Sequence, residues 1–122
     1  MATIDLTGDN FEEIISNNDF VIIDFWAPWC GPCQGFASVY TDTSEKYSDI
    51  VFAKVNTEDQ QELGGHFQIR SIPTLMIFRE QVILYSEAGA MQASEFEKLI
   101  EQAKAVDMAD VHKQMAEQTS KS

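Results

Sequence analysis

The only two cysteines of the chain, Cys30 and Cys33, stand where two hydrophobic patterns meet. Ahead of them, Val21 to Trp26 is an apolar run rich in β-branched and aromatic residues, the pattern of a short buried strand. Behind them, a stretch from about Pro32 to Tyr47 reads as a helix. A cysteine pair at a helix start is suited to dithiol chemistry. The unpaired N–H groups and positive dipole end of the helix favour a thiolate, and lower its pKa below the ~8.5 of a free cysteine. The Gly31-Pro32 spacer lets the second sulfur close a ring with the first. Cys30, nearer the helix start, is the expected nucleophile. Cys33, one turn in and more buried, is the expected resolving thiol.

Patterning places the remaining elements. Residues 3–6 predict a short strand. Thr7 to Asn10 is a turn with candidate N-caps, and Phe11, Ile14 and Ile15 follow at helical spacing. Residues 51–55 predict a strand, and Thr57 to Phe67 a helix opened by Thr57 and weakened by Gly64-Gly65. Residues 74–79 and 82–88 predict two strands joined at Glu80-Gln81. A last core helix, about 93–105, carries Phe96, Leu99, Ile100 and Ala103 on one face. The order β-α-β-α-β-α-β-β-α predicts an α/β fold, with parallel crossovers, a final antiparallel hairpin, and helices on both faces of a mixed sheet.

At 122 residues the chain has room for one ordinary core. That core is expected in a domain of residues 1–105, followed by a C-terminal extension, 106–122. The net charge of −12 argues against nucleic acid, whose phosphates need Lys and Arg, and against anionic membranes. Acidity would favour basic partners, or serve solubility alone. No apolar run approaches the ~20 residues of a membrane span, and residues 1–45 hold no Lys or Arg to begin a secretory leader. The expected location is the cytoplasm, where a lone Cys-x-x-Cys pair points to redox or metal use.

Asp24 stands inside the apolar strand, where a carboxylate is costly and its pKa tends upward. Lys54 likewise interrupts residues 51–55, and would either reach Asp24 or point to solvent. His66 and His112 read as surface residues.

The segment Asp24-Phe25-Trp26-Ala27-x-Trp29-Cys30-Gly31-Pro32-Cys33, with the later Ile72-Pro73-Thr74, resembles the active-site signatures of the thioredoxin family. The resemblance runs from about Ile4 to Ala103. It implies the thioredoxin fold and a protein dithiol–disulfide oxidoreductase acting through a reversible Cys30–Cys33 disulfide. It implies Asp24 as proton acceptor for Cys33 through water, with Lys54 tuning it electrostatically. Pro32 would favour a reducing dithiol, and Pro73 would be cis, with the backbone of Ile72 pairing with a substrate strand. Trp29, Ile72, Ala88 and Gly89 match positions flanking the substrate groove, Gly31 permits close backbone approach by a substrate chain, and Trp26 packs beneath the motif. No bound cofactor is implied. Electrons would come from NADPH through a thioredoxin reductase, the clients would be disulfide-containing proteins, and a monomer is expected.

Some residues depart from that pattern. Gln34 replaces a common basic residue, Ser38 a helix-kinking proline, and Gln81 a turn glycine. Ser38 predicts a straighter helix or a serine-assisted bend. In the extension, Asp107 is positioned to cap a helix bearing Met108, Val111 and Met115 on one side, and residues 119–122 read as disordered. Two rival readings follow. One is a thioredoxin-fold binding module that serves a dedicated partner. The other is a metal site, for which two cysteines supply only half the ligands of structural zinc.

Overall fold

A five-stranded sheet carries the chain, and its middle strand is the most deeply buried element. The computed structural model describes residues 3–121. Its elements run β1 (Thr3–Asp5), α1 (Phe11–Asn17), β2 (Phe20–Trp26), α2 (Gly31–Ser44) and β3 (Val51–Asn56). Then come α3 (Gln61–His66), β4 (Thr74–Arg79), β5 (Val82–Ala88), α4 (Ala93–Lys104) and α5 (Met108–Lys121). The strand order is β1-β3-β2-β4-β5. The first three are parallel, β4 runs antiparallel to β2, and β5 antiparallel to β4. The predicted mixed α/β sheet is thus the observed one.

Period-2 alternation in β2 divides the core into two layers. Ile22 points to the layer of α2 and α4, where it meets Phe36, Tyr40, Phe52, Leu75, Phe96 and Ile100. Val21, Ile23 and Phe25 point to the layer of α1 and α3, with Ile15, Ala53, Val55, Met76 and Phe78. Tyr40 stacks on Phe96 at 5.7 Å and meets Phe52 edge-on at 5.5 Å. Such pairs contribute about 0.5–1.5 kcal/mol beyond burial.

Several boundaries differ from the pattern, each for a local reason. The helix expected to reach Tyr47 ends at Ser44, where i→i+3 bonds from the Lys46 and Tyr47 amides tighten the chain out of register. Thr57 opens no helix. Its N–H and hydroxyl both donate to the Trp26 carbonyl, at 2.8 and 3.0 Å, so the chain stays tied to β2 until Gln61. Asn10 occupies the N-cap position of α1, yet its side chain turns back to accept from Thr7 N–H at 2.7 Å. At the β4–β5 turn, Glu80 and Gln81 have φ of 51° and 69°. That is the left-handed pair a tight hairpin asks for, made here without glycine. Helix α2 is continuous past Ser38.

The extension is helical. Asp107 Oδ1 accepts from Asp110 N–H at 3.2 Å, the expected cap. Met108 is buried, Val111 half-buried, and Met115 46% exposed. The helix continues through Lys121, where composition predicts disorder; Ser122 lies outside the described residues. Arg79 on β4 secures this region, donating from Nη1 to the carbonyls of Ala103, Lys104 and Val106 at 3.0–3.3 Å. These carbonyls lie at the end of α4 and in the turn that follows it, where helical partners run out. His112 Nε2 meets Glu80 Oε1 at 2.9 Å, joining α5 to the hairpin turn. Truncating Met108 to Ala should therefore cost about 2 kcal/mol in urea unfolding. No change in the unfolding midpoint would mean that α5 does not rest on the domain in solution.

Candidate active site

Register aligns three chain segments at one end of the sheet. Phe25 pairs with Thr74 and Thr74 with Ala88, so the exit of β2, the Pro73 loop and Gly89 lie side by side. Gly89, at φ 119°, donates its N–H to the Pro73 carbonyl at 2.8 Å. The Ile72–Pro73 bond is cis, as the resemblance implies.

Cys30 is the N-cap of α2, with Gly31 and Pro32 opening the helix behind it. Proline fits there because its missing N–H would have no helical partner. Cys30 and Cys33 are joined in a disulfide, with Cα atoms 5.2 Å apart. Both sulfurs are sheltered, so the expected difference in burial is slight, at 4% and 3% exposed. Their hydrogen bonding differs more. The Cys33 N–H donates to Cys30 Sγ at 3.2 Å, and Cys30 Sγ lies 3.7 Å from the Ile72 carbonyl oxygen. A helix N–H aimed at a sulfur stabilises that sulfur's anion. Gln34, in place of a cation, ties the helix to the preceding loop by donating to the Pro28 carbonyl at 2.8 Å.

Trp26 packs beneath the pair with Ala27, Cys30, Cys33 and Ile72. Trp29 points outward, 68% exposed, and its indole N–H donates to Glu58 Oε1. A Cβ on Gly31 would meet nothing within 4 Å, so the surface over the motif is open. Ala88 and Gly89 are exposed on the flank.

Asp24 is 1% exposed, and its Oδ1 has no hydrogen-bond partner among the described residues. Burial pushes its carboxyl up to about 7, and the Lys54 charge opposes part of that shift. Asp24 and Lys54 are register partners on β2 and β3. They share the sheet face of Ile22 and Phe52, the face that α2 covers. Lys54 Nζ makes no ion pair with Asp24. It rests over the Trp26 ring, 4.7 Å from its centroid, and acts on Asp24 at longer range.

Two neighbours of the site were not evident in the pattern. Glu58 holds Trp29 from 29 residues away, which no local signal announces. Tyr40 is fully buried, and its hydroxyl contacts the carbonyls of Ile22 at 2.9 Å and Ala53 at 2.7 Å. Burial and the Asp24 charge hold its phenol well above the usual range. Its place two helical turns after Cys33 on the inner face was a readable sign. His66 and His112 are exposed, His66 against the Phe67 ring and His112 against Glu80. Among the described residues no cluster of three or more His, Cys, Asp and Glu side chains is arranged to hold a metal.

A sheltered pair of sulfurs, one facing a helix N–H and both close to a buried carboxyl-bearing strand, is built to open and close a disulfide. The class is that of the dithiol–disulfide oxidoreductases. Comparison with known proteins agrees: the Thioredoxin family profile matches residues 2–120. A Streptomyces coelicolor protein with the provisional name thioredoxin 2 is 49% identical over 117 residues, spanning 96% of this chain and 87% of that protein. The thioredoxin of Buchnera aphidicola (from Acyrthosiphon pisum) is 35% identical over 101 residues, 81% of this chain and 94% of that one. The solved structure of Plasmodium falciparum thioredoxin superposes with a TM-score of 0.76 at 35% identity, covering 82% of this chain and 97% of that one. The chain belongs to the thioredoxin family. It carries a redox-active disulfide, and membership implies disulfide-bearing substrates and a reductase that returns the pair to the dithiol. Among the described residues no helix is long and apolar enough to cross a membrane.

The Asp24 shift has a sign that can be tested. The folded protein holds this proton up to about 7, whereas an unfolded carboxyl releases it near 3.8. Between those values the folded state binds more protons, so the Asp24 contribution falls as pH rises from about 4 to 7, and the cost persists above. Asp24→Asn should leave stability nearly unchanged at pH 4. At pH 8 it should raise stability by roughly 4 kcal/mol, at 1.36 kcal/mol per pKa unit. Urea unfolding at both pH values checks it; an equal effect at the two would refute the assignment.

Proposed function

We propose that this chain is a general reductant of protein disulfides, with Cys30 as attacking and Cys33 as resolving thiol. The observation that supports it most directly is the Cys33 N–H aimed at Cys30 Sγ at 3.2 Å. In the dithiol form the Cys30 thiolate attacks one sulfur of a client disulfide. A Cys30–client bond forms, and the client's other sulfur leaves as a thiolate that takes up a proton. Cys33 then gives its proton, through water, to the Asp24 carboxylate. The Cys33 thiolate attacks Cys30 Sγ, forms the intramolecular disulfide and expels the second client thiolate, which takes up a proton from water as Asp24 returns its own to solvent. The client gains two electrons and two protons, and the Cys30–Cys33 pair is oxidised. A pKa of about 7 suits Asp24 to accept a proton near neutrality. Lys54 keeps that value from rising further.

The client strand lies along the backbone of Ile72 beside Pro73, flanked by Trp29, Gly31, Pro32, Ala88 and Gly89, with Trp26 supporting from below. A thioredoxin reductase using NADPH restores the dithiol. The protein works as a monomer in the cytoplasm, whose reducing poise suits that cycle. Residues 1–105 form the redox unit, and 106–122 a C-terminal extension whose helix α5 rests on it.

NADPH-driven reduction of a model protein disulfide, supplied with thioredoxin reductase, tests these roles. Cys30→Ser should abolish turnover. Cys33→Ser should halt as a mixed disulfide, visible as a mass adduct that dithiothreitol removes. Full multiple turnover by Cys30→Ser would overturn the assignment of the nucleophile.

A further inference from the structure

Helix α3 carries an expense that the fold does not explain. Two of its six residues are Gly64 and Gly65, and each glycine in a helix costs about 1 kcal/mol against alanine. Neither has a positive φ. A Cβ on Gly65 would meet nothing within 4 Å, and one on Gly64 would meet only Thr57 Cγ2 at an ordinary 3.9 Å. Nothing inside the protein requires the missing side chains. Both glycines line an open groove of about 260 Å³ with Trp29, Ile69, Arg70 and Ile72. The groove begins at the redox pair, since the Ile72 carbonyl is 3.7 Å from Cys30 Sγ.

The charge around this groove is uneven. Arg70 is exposed, and among the described residues it makes no ion pair and no side-chain hydrogen bond. It is an unmatched cation on a chain of net charge −12. On the other flank of α3, Glu58, Asp59 and Glu62 line a separate concavity of about 640 Å³. Glu58 also takes the indole N–H of Trp29 at the edge of the groove, while Arg70 is the one charged side chain among the residues that line it.

Resting on the reductase reading above, we propose that Gly64, Gly65 and Arg70 select clients. The preferred client segment places an apolar side chain on the glycine floor and an acidic side chain against Arg70, next to its reacting cysteine. A basic residue at that second position is disfavoured. The glycines supply depth, because any side chain there would occupy the space the client needs. Arg70 supplies the sign, and a small neutral disulfide reports separately any effect of its charge on the thiolate.

Single-turnover kinetics of the pre-reduced protein test this without a reductase. The substrates are bis(2-hydroxyethyl) disulfide and a disulfide-bridged peptide bearing Leu next to one cysteine, followed by Glu, Gln or Lys. Wild type should reduce the Glu peptide about fivefold faster than the Lys peptide, the scale of an exposed charge contact, with the gap closing in about 1 M salt. Arg70→Glu should invert the order. Lys98→Glu, an equal change of net charge on α4 across the sheet, should preserve it. Gly65→Leu should slow all three peptides about tenfold relative to the small disulfide, with no loss of melting temperature. Equal Glu and Lys rates in wild type, or an order unchanged by Arg70→Glu, would overturn the selection while leaving the reductase reading intact. Failure of wild type to reduce even the small disulfide would remove both.

Discussion

Burial of β2 is the constraint on which the rest of the molecule depends. From Val21 to Phe25 no side chain is more than 1% exposed. The strand is hydrogen-bonded on both edges and covered on both faces. Its alternate residues feed two separate cores, so a shift of register by one residue would exchange them. That rigidity has a consequence at the strand's end. Trp26 and Ala27 leave the sheet at a fixed height and angle, and Cys30 and the first turn of α2 are set against the Pro73 loop. The geometry of the sulfurs is inherited from packing several residues away.

The same burial sets the electrostatics. Asp24 occupies a position that packing alone would give to an apolar residue, and its raised pKa is the direct result. The fold thus stores an unfavourable charge at neutral pH, beneath the helix that carries Cys33. Tyr40 bears on the same region from α2, linking the helix to carbonyls of both strands that hold Asp24 and Lys54. A carboxyl with a pKa near the working pH can take and return a proton without a large driving force in either direction. Stability is given up beneath the helix that carries the redox pair, which is a common relation between site and scaffold.

Much of this was readable from the chain because its signals are local. β4 and β5 follow the pattern residue for residue, since both are bounded by breaks in alternation that the sequence displays. The redox pair was legible from its spacing and its place between strand and helix. The cis bond at Pro73 was not legible from local pattern, which favours trans, and came only through family resemblance. The misplaced start of α3 shows the other limit. Thr57 has the chemistry of a cap, but a tertiary bond to Trp26 claims it first. Asn10 fails as a cap for a similar reason, because the turn behind it offers its side chain a shorter path. Glu58 was invisible as a partner of Trp29, since nothing in either neighbourhood encodes contact across 29 residues.

The contrast between the two glycine-bearing regions shows how structure adds to such readings. Gly89 is explained within the protein, by a φ of 119° and a bond from its N–H to the Pro73 carbonyl. Gly64 and Gly65 have ordinary helical conformation; a Cβ on buried Gly64 would touch only Thr57 Cγ2 at 3.9 Å, and one on Gly65 nothing. From sequence alone all three look like the same kind of residue, one that loosens or turns the chain. Only the space around each separates a glycine required by its own backbone from one whose missing side chain leaves room for something else. For Gly64 and Gly65 that room opens onto Trp29, Ile72 and Arg70, which has no ion pair among the described residues, close to the Ile72 carbonyl that lies 3.7 Å from Cys30 Sγ.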